Sequence, residues 1–283
     1  MPLQALEDVT LHYEVAGAGP PVVLINALTM DAAGWRTEVQ ALATRYTVLT
    51  YDCRGQGRSG KPDQDYSIEA HADDLHRLVI TLGFRRLHVV GLSLGGMIAQ
   101  AFAAKYPAQT AGLVLASTTA HVEPMLERFL TAWIRVLEVG GGELAFEAAE
   151  PMLFSEWYLR AHPDVLKGLR AAVGRLPVTA LQRLARGALR HDLVDRLGTL
   201  RAPTLVLVGE EDLLTPLRHA QALAGQIPGA RLVVVPACGH VIPMERPALF
   251  NETVVQFLRS HDGLLKLTWV RDNADPIQSA GTA

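Results

Sequence analysis

The chain has only two cysteines among its 283 residues, Cys53 and Cys238, and it lacks both a basic excess and any long hydrophobic run. Two cysteines are too few for the disulfide framework of a small secreted protein, and we expect both to be inert, partly buried thiols in a reducing compartment. Lysine and arginine number 26 against 29 aspartates and glutamates, so the formal net charge is −3. This balance argues against a nucleic-acid-binding surface, which needs an excess of basic residues.

Targeting and metal-binding signals are also missing from the sequence. The first eight residues, Met-Pro-Leu-Gln-Ala-Leu-Glu-Asp, have neither the basic start nor the apolar stretch of a signal peptide. No run approaches the roughly 20 apolar residues that span a bilayer. We therefore expect a cytoplasmic protein with no membrane partner. Neither a His-Glu-x-x-His motif nor a Cys-x-x-Cys pair occurs, so we expect no metal and no other cofactor.

What the sequence does contain is an alternation of short apolar runs and helical segments, in a chain that is 49% hydrophobic and 19% charged. The apolar runs are hydrophobic on successive residues, which is typical of parallel strands covered on both faces. The predicted strands are 22–25, 47–51, 87–90, 113–115, 204–208 and 232–235. The predicted helices are 68–82, 94–106, 216–227 and 247–259. An antiparallel edge strand at 10–15 completes a doubly wound α/β sheet.

Residues 122–197 interrupt this alternation. They show helical periodicity rich in Leu, Ala and Arg and contain no convincing strand. A helical insertion between two strands of such a sheet predicts a cap over the carboxyl edge, where ligands bind. We therefore divide the chain into a core of residues 1–121 and 198–265, a helical cap of residues 122–197, and a tail of residues 266–283 that we expect to be poorly ordered.

A serine lies between a predicted strand and a predicted helix, in the run Gly91-Leu92-Ser93-Leu94-Gly95-Gly96. Such a turn is tight and strained, and glycines two residues on either side of the serine remove the Cβ atoms that would clash. The turn directs the hydroxyl into the pocket, beside the positive end of the helix. We interpret Ser93 as a nucleophile rather than as an ordinary helix cap.

A nucleophilic serine needs a base, and the base needs a carboxylate to orient it. Two later loops, 209–216 and 236–243, supply these residue types and leave the carboxyl ends of strands at the same edge as Ser93. We predict that His240 is the base and that Asp212 is the acid. Two glutamates compete with Asp212 for this role: Glu210 and Glu211.

In combination, these motifs resemble the α/β-hydrolase fold family, and the resemblance covers about residues 10–260. The run Tyr51-Asp52-Cys53-Arg54-Gly55-Gln56-Gly57-Arg58-Ser59 is similar to the family's D-x-R-G-x-G-x-S turn. Residues 209–212 and 239–240 resemble its acid and histidine loops. The resemblance implies a mostly parallel, doubly wound sheet with a helical cap inserted between two strands.

The same turn contains a pattern found in dinucleotide-binding proteins, Gly55-Gln56-Gly57-Arg58-Ser59-Gly60. In such a site the third glycine lies in a helix whose first turn binds pyrophosphate. Here Lys61-Pro62-Asp63 follows and indicates a loop, so we reject a nucleotide site. The hydrolase resemblance instead makes Asp52 and Arg54 structural residues that brace the loops around the site.

An oxyanion hole requires two backbone N–H groups that face the developing negative oxygen. The first is expected from Leu94, directly after the serine. The resemblance implies that the second comes from the loop after an earlier strand, where many members carry His-Gly. This chain has Asn26-Ala27-Leu28 there, which resembles 3-oxoadipate enol-lactonases and related esterases. Leu28 is therefore the expected donor, and Asn26 is a candidate substrate-binding residue.

Aromatic and sulfur-bearing residues of the cap are candidates either for the roof of an apolar acyl pocket or for the core between cap and sheet. They are Trp133, Phe146, Met152, Phe154, Trp157 and Tyr158. Of these, we take Trp133, Phe154 and Trp157 as substrate-binding candidates. A substrate that carries a carboxylate would also need a cation, because burying an unpaired charge is costly. The arginines considered for that role, each of which is also compatible with simple surface exposure, are Arg128, Arg135 and Arg160.

The sequence thus predicts a capped serine hydrolase that cleaves small carboxylic esters or lactones. An enol-lactonase of the 3-oxoadipate type and a cofactor-free perhydrolase or haloperoxidase are alternatives that keep the same three residues. A ligand-binding module with slow or absent turnover is an alternative of another class. Haloalkane dehalogenases and epoxide hydrolases use an aspartate nucleophile, and Ser93 argues against both. A homo-oligomer is compatible with the sequence.

Overall fold

A computed structural model describes residues 2–265 of the chain. In these residues eight strands form one sheet, in the spatial order β1-β2-β4-β3-β5-β6-β7-β8. The strands are β1 (Leu3–Ala5), β2 (Thr10–Ala16), β3 (Pro21–Ile25), β4 (Thr47–Tyr51), β5 (Leu87–Leu92), β6 (Thr110–Ala116), β7 (Thr204–Gly209) and β8 (Arg231–Val235). The pairs β1–β2 and β2–β4 are antiparallel, and the other neighbours are parallel. The predicted mostly parallel α/β-hydrolase sheet is therefore confirmed.

The helices connect these strands on both faces of the sheet. They are α1 (Arg36–Leu42), α2 (Ile68–Thr81), α3 (Leu94–Lys105), α4 (Pro124–Leu153), α5 (Glu156–Ala161), α6 (Pro163–Gly174), α7 (Val178–Ala188), α8 (Val194–Leu197), α9 (Leu217–Gln226), α10 (Ile242–Glu245) and α11 (Pro247–His261). The four predicted helices are present within two residues at each end. Ser67 caps α2, because its side chain accepts a hydrogen bond from the N–H of Ala70.

The sheet separates two apolar clusters, which explains why its central strands are hydrophobic on every residue. In β3, Val23 and Ile25 pack into one cluster, while Val22 and Leu24 pack into the other. Successive side chains of a strand point to opposite faces, so both faces of β3 are covered.

One prediction about the sheet edge is wrong. We expected residues 10–15 to form the edge strand, but β1 pairs outside β2, with Leu3 opposite His12. The three residues of β1 are too short a run to show alternation in the sequence. Backbone hydrogen bonds to β2 therefore decide the position of this strand.

Helices α4 to α8 fill the connection between β6 and β7. The longest of them, α4, consists of two helical segments joined by a kink at Gly141, whose φ of 70° and ψ of −171° are non-helical values that glycine tolerates. A third apolar cluster, with Trp133 and Phe146 among its members, holds α4 to α7 together. The domain division at residues 122 and 197 stays a prediction, and the predicted tail 266–283 lies outside the described residues. None of the helices in residues 2–265 is long and apolar enough to cross a membrane.

Candidate active site

Ser93 lies at the junction between β5 and α3 in a strained backbone conformation. Its φ is 55° and its ψ is −114°, values rarely adopted by a residue other than glycine. The strained peptide is fixed on both sides, since the Ser93 N–H donates to Ala116 O over 2.9 Å and Thr118 Oγ1 donates to Ser93 O over 2.8 Å. The surrounding structure therefore holds the half-buried Ser93 in this turn.

The two glycines that flank Ser93 are required by close backbone packing. A Cβ atom on Gly91 would lie 2.1 Å from Gly95 O, and a Cβ atom on Gly95 would lie 2.2 Å from Ile25 O. Both distances are far below van der Waals contact. The glycines thus allow α3 to start directly against β5 and β3.

Asp212 and His240 are brought together by the neighbouring strands β7 and β8. His240 Nδ1 lies 2.9 Å from Asp212 Oδ2, and both side chains are buried. Asp212 is itself fixed, because its Oδ1 accepts from the N–H groups of Leu214 and Thr215, and its Oδ2 accepts from Thr215 Oγ1 over 2.9 Å. The carboxylate can accept the Nδ1 proton of the imidazole, which leaves Nε2 as a proton acceptor.

The two competing glutamates bind elsewhere. Glu210 accepts from the N–H of Ala237, and Glu211 accepts from the N–H of Glu156, each over 3.1 Å. Neither carboxylate bonds to the imidazole of His240. Of the three acidic residues in this loop, the structure therefore brings Asp212 to His240.

Ser93 and His240 line one cavity of about 640 Å³ beneath the cap helices. His240 Nε2 is buried and has no hydrogen-bond partner within the described residues. Most side chains around the cavity are apolar, and they come from the loop after β3, the start of α3, the cap helices α4 and α6, and the corner between α10 and α11. The free imidazole nitrogen and the Ser93 hydroxyl thus belong to one largely apolar cavity.

Leu28 and Leu94, the expected donors of an oxyanion hole, also line this cavity. The N–H of Leu94 is in the first turn of α3, where no earlier turn of the helix supplies an acceptor. Leu28 is in the loop after β3, and its carbonyl accepts from Gln56 Nε2 over 3.1 Å. This hydrogen bond fixes the loop while leaving the N–H of Leu28 outside it.

Asn26 does not reach the cavity, contrary to our expectation that it binds substrate. It is fully buried, and its Nδ2 donates to Tyr51 O over 2.9 Å and to Gln56 Oε1 over 3.1 Å. Its Oδ1 accepts from Trp35 Nε1 over 2.9 Å. With all its amide hydrogen-bonding atoms in use, Asn26 braces the loop that carries Leu28 from behind.

The aromatic candidates of the cap divide between the cavity and the surface. Trp133 and Phe154 line the cavity together with Phe146. Trp157 does not, because its side chain is half exposed and packs under the guanidinium of Arg246, 4.6 Å from the ring centre. The expectation that Trp157 contacts substrate is therefore corrected. Trp157 lies in the first turn of α5, with its ring on the outer side of the cap.

Three charged residues that line the cavity were not identified from the sequence: Asp31, Glu38 and Arg175. Arg175, just after α6, lines the cavity, and Arg128, Arg135 and Arg160 do not, although all four arginines are exposed. Glu38 in α1 lines it too and is buried, and this burial raises the pKa of its carboxyl to about 7. Helical periodicity places Glu38 on the inner face of α1, but only the packing of α1 against α11 encloses it.

The turn after β4 braces the loops beside the cavity. Asp52 accepts from the N–H groups of Ala32 and Arg58, each over 2.8 Å. Arg54 is buried and donates to both oxygens of Asp74 over 2.6 and 2.7 Å. Gly55–Gly60 forms a loop, and the next helix begins only at Ile68, so the geometry of a dinucleotide site is not present in this segment.

Cys53 and Cys238 are both fully buried, and burial raises the pKa of each thiol to about 12. Thiols of this kind are poor nucleophiles. Across residues 2–265, no group of three or more His, Cys, Asp and Glu side chains is arranged to hold a metal ion.

Three comparisons with known proteins agree with this architecture. A family model described as the alpha/beta hydrolase fold matches residues 20–247. A protein of Azorhizobium caulinodans named carbamate hydrolase RutD is 32% identical over 261 residues, which cover 91% of this chain and 98% of that protein. The chain is thus similar to a full-length hydrolase.

Two solved structures are similar over nearly their whole length. The enol-lactonase from Burkholderia xenovorans has a TM-score of 0.86 and 30% identity, covering 91% of this chain and 100% of that one. A thermophilic esterase from Thermogutta terrifontis has a TM-score of 0.83 and 33% identity, covering 89% and 94%. Since the family model spans most of the sequence and the sheet and cap agree with it, the chain belongs to the α/β-hydrolase fold family and is a hydrolase.

Proposed function

We propose that this hydrolase cleaves carboxylic esters or lactones through an acyl-enzyme on Ser93. The observation that carries the proposal is the state of His240. Its Nδ1 is bonded to Asp212, while its buried Nε2 is unpartnered among the described residues and lies in the same cavity as Ser93. A base that is oriented by a carboxylate, buried, and placed in the same cavity as a strained serine has the arrangement that nucleophilic acyl transfer needs.

In the proposed reaction, Ser93 Oγ bonds to the carbonyl carbon while its proton passes to His240 Nε2. The N–H groups of Leu94 and Leu28 donate to the resulting oxyanion, and Asp212 stabilises the imidazolium. The bond between the carbon and the leaving oxygen then breaks, and His240 returns the proton to that oxygen. Water attacks the acyl-enzyme with His240 as base, which releases the acid and restores Ser93.

The cavity favours an apolar acyl group. Trp133, Phe146 and Phe154 line it beneath the cap, and apolar area removed from water stabilises a bound acyl chain by roughly 25 cal/mol per Å². A volume of about 640 Å³ is in the range of sites for drug-sized ligands. A small polar substrate would leave most of this apolar wall unused.

Carbamate hydrolysis is a second candidate, favoured by the similarity to the RutD proteins. The same three residues would serve, since a carbamate also passes through a tetrahedral oxyanion. A third candidate is a lactone or ester that carries a carboxylate. It is favoured by Arg175, which lines the cavity and has no carboxylate partner in the part of the chain that is described.

Initial rates on p-nitrophenyl esters from acetate to decanoate, with wild type and Ser93→Ala in parallel, test the proposal. We expect turnover that rises with acyl length toward the middle of the series and is lost in the variant. The alternative functions are tested in parallel with a simple carbamate, with a γ-lactone series, and with bromide and peroxide. Turnover of none of these, together with no labelling of Ser93 by a fluorophosphonate, would contradict the proposal and favour a binding module.

A further inference from the structure

Glu245 connects the histidine loop to the cap through one buried carboxylate. It ends α10, five residues after His240, and only 4% of it is exposed. Its Oε1 accepts from the N–H of Gly239 over 3.0 Å. Its Oε2 accepts from Ser155 Oγ over 2.5 Å and from the N–H of Ser155 over 3.2 Å. Gly239 precedes the histidine, and Ser155 lies between α4 and α5.

A second contact joins the same two segments directly. The N–H of His240 donates to Leu153 O over 2.8 Å, so the backbone of the histidine is bonded to the last residue of α4. The approach is close, since a Cβ atom on Gly239 would lie 2.7 Å from the N–H nitrogen of Ser155 and 2.8 Å from Leu153 O. Gly239 is therefore needed for the histidine loop to reach the cap.

The bonded cap segment also forms part of the cavity wall. Leu153 and Phe154 line the cavity, and Ser155 Oγ additionally caps α5 by accepting from the N–H of Tyr158 over 3.2 Å. A displacement of the cavity wall at Phe154 would thus be accompanied by a displacement of the His240 backbone. Hydrogen bonds on both sides of Phe154, at Leu153 and Ser155, connect this part of the wall to the histidine loop.

The hydrogen bonds of Glu245 are better explained by a role in orienting the histidine loop than by a role in holding the cap against the core. Its donors are two backbone N–H groups and one hydroxyl rather than the head group of a lysine or arginine. Burial raises the pKa of its carboxyl, while the hydrogen bonds from Ser155 and Gly239 oppose that rise. Apolar residues would join two surfaces at lower cost, whereas directional bonds to a carboxylate fix the direction of the backbone.

We propose that Glu245 is a positioning residue, which couples the cap segment 153–155 to the imidazole of His240. Contacts between a substrate and Phe154 are thereby transmitted to the base, so that the wall of the acyl pocket and the orientation of His240 are set together. This inference rests on the proposed function, in which His240 is the base.

The test compares Glu245→Gln, Ser155→Ala and the double variant with wild type. We expect kcat for p-nitrophenyl esters to fall about 10- to 100-fold in each single variant with KM changed less than about threefold, because small displacements of a catalytic group cost this much. The double variant should lose little more than the single ones, since each single variant weakens the same link through the Glu245 carboxylate.

A spectroscopic readout separates this proposal from the proposed function. The proton between His240 Nδ1 and Asp212 gives a low-field ¹H resonance whether or not the protein turns over an ester. We expect the resonance to broaden or to exchange faster with water in Glu245→Gln and Ser155→Ala. If wild type shows the resonance but no turnover that depends on Ser93, the proposed function is wrong. The resonances of Glu245→Gln and Ser155→Ala then still test whether Glu245 positions His240.

Glu150→Gln is the matched control. Glu150 is a carboxylate of the cap that is equally buried, but it bonds Arg170 within the cap, over 2.5 Å to each oxygen. It should lower the melting temperature without changing the His240 resonance or the pH profile of kcat. Folded Glu245→Gln and Ser155→Ala proteins that keep the wild-type kcat and resonance would overturn the coupling, as would an equal change in Glu150→Gln.

Discussion

Asp212 Oδ2 and His240 Nδ1 are 2.9 Å apart although the two residues are separated by 28 positions in the chain. The parallel pairing of β7 with β8 produces this proximity, because Gly209 is opposite Val235 and both loops leave the sheet at its carboxyl edge. Thr215 closes the arrangement, since its hydroxyl donates to Asp212 and lies 3.2 Å from His240 Nδ1. The pair is thus assembled by the sheet and fixed by a local turn.

Replacing the Asp212 carboxylate should impair the orientation of the His240 imidazole without impairing substrate binding. In Asp212→Asn the amide keeps the shape but no longer accepts the Nδ1 proton as a charged group, so we expect kcat to fall about 10³- to 10⁴-fold with little change in KM. Steady-state kinetics on the best p-nitrophenyl ester measures both constants. Glu210→Gln, at an exposed position that bonds Ala237, should keep kcat within about twofold. Equal losses in the two variants would contradict the assignment of Asp212.

The turn around Ser93 should not tolerate a side chain at Gly95. A Cβ atom there meets Ile25 O at 2.2 Å, so Gly95→Ala should lower the free energy of unfolding by about 2–4 kcal/mol. Gly168→Ala is the control, since it lies inside α6 with open space around it and should stabilise by about 0.5–1 kcal/mol. Urea unfolding of both variants measures the two changes. A Gly95→Ala protein as stable as wild type would refute the steric argument.

Glu38 should make stability depend on pH. Its pKa is raised from 4.5 to about 7 in the folded protein, so the folded state holds this proton more tightly than the unfolded chain does. The resulting stabilisation is fully present below pH 4.5, decreases between pH 4.5 and 7, and is lost above pH 7, a change of roughly 3 kcal/mol. Glu38→Gln lacks this proton equilibrium. Its free energy of unfolding relative to that of wild type should therefore rise by that amount between pH 4.5 and 8.

Urea unfolding of Glu38→Gln and wild type across this range measures the difference between the two proteins. A difference that is the same at pH 4.5 and pH 8 would show that the buried carboxyl does not titrate in this interval.

Arg175 distinguishes neutral from anionic substrates. If it binds a carboxylate at the cavity, Arg175→Ala should raise KM about fivefold for an ester that bears a carboxylate on its acyl chain, the effect of a partly exposed ion pair worth about 1 kcal/mol. KM for the neutral ester of the same length should stay unchanged. Arg128→Ala, an exposed cap arginine away from the cavity, is the control. Equal KM changes for both esters would remove the anionic candidate.

Much of the fold was predictable because the signal is local and periodic. The central strands are covered on both faces, so residues such as Val22 and Val23 are both apolar, and this pattern is visible without a structure. By contrast, β1 has only three residues, and its place at the sheet edge depends on hydrogen bonds to β2. Likewise, the kink at Gly141 joins two helical segments of α4, and how these segments pack in the cap depends on contacts with other helices.

The candidate site divides in the same way. Ser93, Asp212 and His240 stand at the ends of strands, where the strand pattern predicts their common edge. Which cap residues face the cavity could not be predicted, because Phe154 and Trp157 are close in sequence and equally aromatic but point to opposite sides.

By itself, the sequence determined the central strands with four of the helices between them, the glycine turn that presents Ser93, and the later loops with an acid and a histidine, since each depends on residues within one element or one turn. Only the tertiary structure decided that Asn26 braces a loop, that Arg175 rather than Arg128, Arg135 or Arg160 reaches the cavity, and that Glu245 bonds both Ser155 and Gly239. These outcomes depend on contacts between segments far apart in the chain. Such contacts are set by how the cap packs on the sheet, and no local pattern of residues encodes that packing.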